Sequence, residues 1–298
     1  MLKSLSATTI ALISIVAWSF IPIISKLGQL NIDNLQFLFW SNLLSCFAVA
    51  LTIKPSKKKI SYAFKHTNHL LTLILGFLGC YFYYMCLYYG YANANATQVL
   101  TIQYLWPALI PIFAMFILKE RLNIYKIISV ILGFIAVMLV FTNGNFISLK
   151  DSNIFALFIV FIGAISFALF STLSKLERRV EVSFSVFLYF FWATIFSFIS
   201  LLIWSKFVIP DIKSFILILI NGAFINGLTY ILWIYALSKE DASKIAPLVY
   251  LSPVLSLFWI AIIFKSNINI LNIIAIVLVI ASGLLVTLEN RLFTIFKR

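Results

Sequence analysis

The sequence predicts an all-α polytopic membrane protein in which ten transmembrane helices form two inverted five-helix repeats and both termini are cytoplasmic. Three observations predict this: the composition, the lengths of the apolar runs and an internal repeat. Hydrophobic residues make up 63% of the 298 residues and charged residues 10%, with a mean hydropathy of +1.09. Because a soluble domain is about half apolar and about a quarter charged, this composition indicates an integral membrane protein.

Ten apolar runs have about the length, 20 residues, that an α-helix needs to cross a bilayer. Strands of a membrane barrel would be short and alternating, whereas these runs are long and unbroken. The first run lacks a small-residue cleavage site, so we expect it to be retained. The predicted spans are residues 6–25, 35–53, 69–90, 95–117, 123–141, 153–173, 183–204, 214–237, 243–264 and 269–288.

A degenerate copy of residues 96–123 reappears as residues 242–269, at a constant offset of 146. Both copies contain a Tyr-Leu-x-Pro tetrad, which an apolar composition alone does not explain. The repeat predicts two units, residues 1–148 and residues 149–298. Since each unit has five spans, an odd number, the two must enter the membrane from opposite sides, as in an inverted repeat.

The basic residues predict the orientation. With the N-terminus inside, 17 of the 22 Lys and Arg residues fall in cytoplasmic connections, as the positive-inside rule requires. The longest connection, residues 54–68, becomes a basic cytoplasmic linker. The net charge of +13 therefore indicates membrane topology rather than a nucleic-acid partner, because no soluble domain presents these charges.

The residue types that support catalysis or metal binding are poorly placed for either. Cys46, Cys80 and Cys86 lie inside apolar runs without a CxxC pattern, and His66 and His69 lie in or beside the basic linker without a partner pattern. The three cysteines are interpreted as small buried hydrophobic residues. We therefore expect no enzyme activity, no catalytic residues, no metal and no cofactor.

No Asp or Glu falls in the middle of a predicted span. Proton-coupled pumps and exporters of cationic drugs usually need a carboxylate there, because one buried ionisable group can bind a proton or a cation. The sequence argues against that mechanism, although coupling through Glu120, at the end of the fourth span, stays open.

Aromatic and neutral polar side chains are the candidate binding groups. Four-residue spacing places Tyr84 and Tyr88 on one face of the third span, and Asn226, Tyr230 and Trp233 share a face of the eighth. Aromatic packing and interfacial belts are the alternative explanation. The full predicted set of cavity residues is Trp18, Tyr84, Tyr88, Thr101, Gln103, Tyr104, Trp106, Asn226, Tyr230, Trp233, Tyr250 and Ser252.

Prolines predict helix bends at Pro22, Pro107 and Pro253. A proline inside a helix leaves free the carbonyl four residues earlier, here that of Gln103 or Val249, and tilts the helix. Free backbone groups at membrane depth are tolerated where they face protein or a water-filled cavity, so the bends in the repeated tetrads predict a translocation path. A purely structural kink is the alternative.

At these residues the chain resembles the EamA family of the drug/metabolite transporter superfamily, over essentially its whole length. The resemblance rests on the Trp18-Ser19 and Ser166-Phe167 pairs, the proline-containing fourth helix and the sequence KERL at residues 119–122. Residues 99–107, VLTIQYLWP, are most similar to the bacterial aromatic amino-acid and paraquat exporter branch. One departure is Ser266, where the family commonly repeats the glutamate found at position 120.

The resemblance implies a basket of ten helices in the bacterial inner membrane, with a central cavity lined by helices one, three, four, six, eight and nine. The leading hypothesis is an exporter or facilitator of neutral or zwitterionic metabolites, chiefly aromatic or bulky amino acids, working by alternating access. Its partners would be a small-molecule substrate and the lipid bilayer. The alternatives are uptake or exchange of a nucleotide-like metabolite such as S-adenosylmethionine, and a nontransporting membrane scaffold.

Overall fold

The structure is a computed structural model that describes residues 5–53, 57–94, 99, 102–142, 153–177, 180–264 and 270–295. Within these ranges the regular elements are helices, and none of the described residues forms a β-strand. The α-helices are α1 (Ala7–Trp18), α2 (Ile21–Gly28), α3 (Asn34–Thr52), α4 (Lys57–His66), α5 (His69–Leu75), α6 (Tyr83–Asn93), α7 (Trp106–Phe113), α8 (Ile124–Thr142), α9 (Ile154–Leu173), α10 (Val182–Trp204), α11 (Ile212–Leu219), α12 (Thr229–Lys239), α13 (Ala242–Ile245), α14 (Leu251–Phe264) and α15 (Ile270–Ile295).

Six helical stretches of the described chain are long and apolar enough to cross a membrane, and they match the predicted spans one, two, three, six, seven and eight. They are Ala7–Ser25, Asn34–Thr52, His69–Gly90, Ile154–Leu176, Val182–Trp204 and Ile212–Lys239. Shorter apolar helices lie at the predicted spans four, five and ten. The prediction of an all-α, multi-pass membrane protein is confirmed, while ten crossings, the inverted arrangement and cytoplasmic termini stay predictions.

Several helices begin at a residue whose side chain caps the first turn. In each case a side-chain oxygen accepts a hydrogen bond from the backbone N–H three residues later, which satisfies a donor that the helix itself cannot. The capping residues are Ser6, Asp33, Asn68, Asn153 and Asp211. At Asp211 the hydrogen bonds from the Ser214 backbone and the Asn31 amide hold the pKa of the carboxyl at about 2. These helix starts are therefore set by local chemistry.

Two of the long helices contain a π-helical segment where the sequence predicted a continuous α-helix. Segment π1 (Gly76–Phe82) joins α5 to α6, and segment π2 (Ile220–Leu228) joins α11 to α12. In π1 the carbonyls of Leu78, Gly79 and Cys80 accept hydrogen bonds from Ser166, Tyr230 and Asn42, at 2.8, 3.3 and 3.3 Å. The wider turn is thus supported by three other helices, an arrangement that is often found at functional sites.

The two π segments pack in corresponding ways against long helices. Segment π1 packs against α10, and segment π2 packs against α3, while α3 and α10 pack against each other. A Cβ added at Gly76 would lie 2.5 Å from the Tyr189 carbonyl oxygen, and one added at Gly222 would lie 2.5 Å from the Ser41 carbonyl oxygen. Gly76 and Gly222 are 146 residues apart, which is the offset of the sequence repeat. Small residues permit such close approach of helix backbones in membranes.

The close approach at Gly222 predicts a loss of stability on substitution. Gly222→Ala should destabilise the protein by about 1–3 kcal/mol, because the new methyl group meets backbone that has no room to move. The measurement is the thermal unfolding midpoint of the purified protein in detergent. Gly283→Ala is the matched control, since its nearest contact would be an ordinary 3.7 Å to Leu248. Equal midpoints for the two variants would contradict the prediction.

Candidate functional site

The middle of the helix bundle holds a group of buried aromatic and neutral polar side chains, which we call the central cluster. It draws on α1, α6, α7, α9, π2 and α12, so both sequence repeats contribute. Tyr230 and Trp233 are 1% and 0% exposed. The members are Trp18, Tyr84, Trp106, Phe167, Asn226, Tyr230 and Trp233.

Trp18 is held in the cluster by one hydrogen bond and two ring contacts. Its indole N–H donates to the Thr229 hydroxyl at 2.8 Å. The ring lies 5.2 Å from that of Trp233 and 6.0 Å from that of Tyr230, measured between centroids. Edge and tilted contacts of this kind stabilise aromatic pairs by about 0.5–1.5 kcal/mol beyond the burial of their surface. The helix α1 is thereby tied to α12, in the other half of the chain.

A chain of neutral polar groups runs through the aromatic rings. The Tyr84 hydroxyl donates to the Asn226 side-chain carbonyl at 3.4 Å, and the Tyr230 hydroxyl lies 3.4 Å from the Tyr84 hydroxyl. These distances exceed the 2.7–2.8 Å typical of O–H···O hydrogen bonds. The three groups hold one another weakly, so a polar ligand could replace these contacts with shorter ones.

Trp106 and Phe167 close the cluster on the side of α7 and α9. Their ring centroids lie 4.6 Å apart, and Trp106 also meets Trp233 edge-on at 6.0 Å. Gln103 joins indirectly, since its amide donates to the Tyr83 hydroxyl at 2.6 Å, and the Tyr83 ring packs on Phe167. The repeated tetrad in the fourth span thus reaches the centre through its third residue, Trp106, and through Gln103, which precedes it.

Other predicted cavity residues lie outside this cluster. Tyr250 is fully buried in a second apolar cluster with residues of α8, α14 and α15, where it packs against Gly133. Tyr104 packs against the main hydrophobic core and against this second cluster, and it is hydrogen-bonded to Ser252. Tyr88 is buried near Tyr84, with ring centroids 5.9 Å apart. Thr101 lies outside the described residues.

Each predicted bend lies just after an interruption of the α-helix, where hydrogen bonds between residues three apart replace some of those between residues four apart. The first span is interrupted at Ser19 and Phe20, after which α2 begins with Pro22 in its first turn. Before Pro107 the residues at positions 104 and 105 form a turn, and α7 begins at Trp106. Before Pro253 a 3-10 segment, Ala246–Tyr250, leads into α14. The interruptions cover two residues ahead of Pro22, two ahead of Pro107 and five ahead of Pro253, so they involve more of the backbone than the single released carbonyl that the sequence predicted.

A buried ion pair joins the ends of the helices on one side of the bundle, and we call it the carboxylate latch. The Glu120 carboxylate accepts hydrogen bonds from the backbone N–H groups of Ala242 and Ser243 at 2.8 and 3.0 Å and from the Ser243 hydroxyl at 2.8 Å. The Lys175 ammonium lies 2.9 Å from the same carboxylate, and both side chains are less than 8% exposed. One carboxylate thus connects the chain after α7, the end of α9 and the start of α13.

The latch keeps Glu120 charged. Burial alone would raise the pKa of this carboxyl, but the hydrogen bonds from Ser243 and Ala242, together with Lys175, outweigh it and lower the pKa below its usual value. Lys175 is held from the other side by the Glu240 carbonyl oxygen at 2.6 Å. Ser266, which replaces this glutamate in the second repeat, lies outside the described residues.

A sequence profile of the EamA-like transporter family matches residues 5–142 and 154–288. The chain belongs to the EamA-like transporter family. This confirms the resemblance found in the sequence, and it supports a membrane transporter.

The relatives and a solved structure agree with this assignment. Two uncharacterized transporters of Bacillus subtilis (strain 168) are each 24% identical to this EamA-like chain: YoaV over 85% of this chain and 88% of its own length, and YetK over 89% and 82%. A solved crystal structure superposes with a TM-score of 0.81 at 16% identity, covering 95% of this chain and 98% of the other. At that identity the superposition shows the fold alone.

The central cluster of this EamA-like chain has side chains that can bind a small molecule. In the described part of the chain no three His, Cys, Asp or Glu residues lie close enough together to hold a metal ion. The central cluster offers aromatic faces, two phenols and one amide, which can stack a ring and bond neutral or zwitterionic groups. Sequence reasoning missed three hydrogen-bond partners, because only the fold brings them near. They are Thr229, which accepts from Trp18, Ser171, which accepts from Trp233, and Tyr83, which accepts from Gln103.

Proposed function

We propose that this protein transports a small neutral or zwitterionic metabolite, chiefly an aromatic or bulky amino acid, across the bacterial inner membrane. The observation that carries the proposal is the weakly bonded chain of Tyr84, Asn226 and Tyr230 inside a shell of tryptophan and phenylalanine rings. The members of the central cluster have no charged side chain. A ligand with no net charge therefore has the lowest desolvation free energy to overcome when it enters such a site.

The rings and the polar groups of the central cluster would contact different parts of the substrate. An aromatic or bulky aliphatic side chain of the substrate would pack against Trp18, Trp106 or Trp233, where ring contacts are favourable in edge and offset geometries. The Asn226 amide and the Tyr84 and Tyr230 hydroxyls can both donate and accept hydrogen bonds, so they would bond an ammonium and a carboxylate group of one ligand.

Alternating access would exchange two related packings of the helices. The corresponding contacts of π1 with α10 and of π2 with α3, and the contacts of α9 with α6 and of α1 with α12, support a pseudo-symmetric mechanism. The carboxylate latch would close one end, because separating Glu120 from Lys175 is required to part α7, α9 and α13. With cytoplasmic termini, that end is the cytoplasmic one.

The transport test uses purified protein in liposomes loaded with unlabelled substrate. Labelled tryptophan, phenylalanine or leucine should exchange into loaded liposomes faster than into protein-free ones. Labelled S-adenosylmethionine in a parallel set tests the nucleotide-like alternative. Exchange of S-adenosylmethionine without exchange of amino acids would replace the proposed substrate class, and exchange of neither would contradict the proposal.

The topology is tested separately with reporter fusions. Fusions after Arg298 and within residues 54–68 should both report a cytoplasmic location, because the basic residues there favour the inside. The readout is the activity of a reporter that works only in the cytoplasm, paired with one that works only outside. A periplasmic signal at either position would contradict the inverted arrangement.

A further inference from the structure

We propose a second binding site, for a small monovalent cation, between the end of α9 and the first two turns of α10. It consists of the Glu177 carboxylate and the hydroxyl groups of Ser185 and Tyr189, and we call it the ion site. Its ligand would be a proton or a sodium ion. A role for that ion in driving transport rests on the proposed function, whereas ion binding itself does not.

The ion site has polar atoms that are buried without a well-formed hydrogen bond; the Ser185 and Tyr189 hydroxyls are near each other but are not in hydrogen-bond geometry. In the described part of the chain six side-chain polar atoms are in this state, and four of them are the two Glu177 carboxylate oxygens, the Ser185 hydroxyl and the Tyr189 hydroxyl. Ser185 and Tyr189 are 2% and 0% exposed. Buried polar groups in proteins are nearly always hydrogen-bonded, so such a concentration requires an explanation.

The position of the three residues explains how they can act on one ligand. Ser185 and Tyr189 lie four residues apart on one face of α10, and a helical tyrosine side chain points back toward the helix N-terminus. Glu177 lies on that side, because it ends the 3-10 turn after α9 and precedes α10 by a short connection. Its carboxylate is within electrostatic range of the Tyr189 hydroxyl.

The comparison with Glu120 shows what Glu177 lacks. Both acids lie just after a helical stretch, but Glu120 receives three hydrogen bonds and an ion pair with Lys175. Glu177 receives none, and no described cation lies within hydrogen-bonding distance of its carboxylate. A bound cation at this position would supply the contact that the Glu177 carboxylate oxygens lack.

The chemistry of the donors restricts the ligand. All four atoms are oxygens, two of a carboxylate and two of hydroxyls, which suits a hard cation. With a proton bound, the Glu177 carboxyl would donate to Tyr189 or Ser185. Cys80 of π1 is close enough to act electrostatically on Tyr189. The other helices that pack against α10 also carry titratable side chains. These are His69 on α5, Cys46 on α3, and Tyr230, Tyr235 and Lys239 on α12.

The ion site is also connected to the central cluster. The Tyr189 ring lies 5.8 Å from Phe170, and Phe170 lies 5.8 Å from Tyr230. A change in the bonding of the Tyr189 hydroxyl can therefore reach the substrate residues through two ring contacts. The transport assay below tests whether this contact path couples the ion to the substrate.

The binding test measures the thermal unfolding midpoint of full-length protein in detergent, with sodium chloride against choline chloride and at several pH values. For sodium, we expect the wild-type midpoint to rise by a few degrees in sodium chloride only. For a proton, we expect the midpoint to rise as the pH falls, because a proton that binds only the folded protein stabilises it. Glu177→Gln, which imitates the protonated acid, should remove either response, and Tyr189→Phe should weaken it.

Glu181→Gln is the matched control, since Glu181 is exposed at the start of α10 and its side chain forms no cap hydrogen bond. It should respond to sodium and pH as the wild type does. If the wild type, Glu177→Gln and Glu181→Gln all respond equally, the ion site is wrong. If Glu177→Gln does not fold, Tyr189→Phe and Ser185→Ala decide by the same comparison.

A transport assay separates the role of the ion from that of the substrate. Exchange without an ion gradient should continue in Glu177→Gln, whereas acceleration by a proton or sodium gradient should be lost. A wild type that transports nothing would overturn the proposed function, but the unfolding assay would still decide on the ion site. Equal acceleration of wild type and Glu177→Gln would exclude its role in coupling.

Discussion

Asn226→Ala is expected to reduce amino-acid exchange at least tenfold while the protein still folds. Asn226 has the amide of the central cluster and is 5% exposed. Removing it takes away one hydrogen bond to a charged group of the substrate, which is worth about 1.5–3 kcal/mol, or roughly ten- to a hundredfold in affinity. The measurement is the substrate dependence of exchange in liposomes, normalised to folded protein.

Asn221→Ala supplies a matched control from the same π segment. Asn221 is buried like Asn226, but its amide donates to the Ser41 hydroxyl on α3, at 3.0 Å, rather than to the cluster. This variant should lower the thermal unfolding midpoint and leave the apparent KM of exchange unchanged. Similar losses of exchange in both variants would show that the amide of Asn226 acts through stability, and the cluster would not be the substrate site.

Lys175→Met is expected to have the largest effect on the carboxylate latch. The substitution leaves the Glu120 charge buried without its ion-pair partner, which typically costs about 3–5 kcal/mol. We therefore expect a clear drop in the thermal unfolding midpoint and at least a tenfold loss of exchange, because the closed end is no longer held. The double variant Glu120→Gln, Lys175→Met should recover part of the stability, since it removes both charges together.

Lys244→Met is the control for the loss of a lysine in the same region. Lys244 pairs with Glu240 at 3.2 Å in a partly exposed geometry, and such pairs contribute about 0–1 kcal/mol. Its unfolding midpoint and exchange should stay close to those of the wild type. If Lys175→Met behaves like Lys244→Met, the latch does not hold the bundle closed.

The lowered pKa of Glu120 predicts that the carboxylate latch stops stabilising the protein at low pH. A carboxyl with a depressed pKa in the folded state stabilises fully above its unfolded pKa of about 4.3, and this stabilisation is lost as the pH falls through the folded value. Unfolding midpoints measured below about pH 5 should fall more steeply in the wild type than in Glu120→Gln. Parallel curves would mean that another group sets the acid limit.

Several parts of the structure were predictable because they depend on neighbouring residues only. The apolar runs have the length of a bilayer whatever they pack against, and the capping residues Asp33 and Asn153 begin their helices through contacts three residues away. The face shared by Asn226, Tyr230 and Trp233 follows from helical spacing alone. These residues do meet Trp18 and Tyr84 in the central cluster.

The packing neighbour of Tyr250 could not be predicted from helical spacing. Tyr250 stands in the repeat where Tyr104 does, yet it packs against Gly133 of α8 and away from the central cluster. Helical spacing gives the face on which a side chain lies, but the neighbour on that face depends on how helices distant in sequence are arranged. The same holds for Gln103, whose partner Tyr83 belongs to another span.

The sequence by itself determined the class of the protein, its helical segments, its family and the aromatic character of its centre, since these depend on composition and on contacts within a helix. Only the tertiary structure decided the π segments, the carboxylate latch and the unpartnered Glu177. Each depends on groups far apart in the chain: Tyr230 bonds the Gly79 carbonyl 151 residues away, and Glu120 receives the Ser243 amide 123 residues away. Whether a buried polar group finds a partner is settled by packing, and no local pattern of residues encodes it.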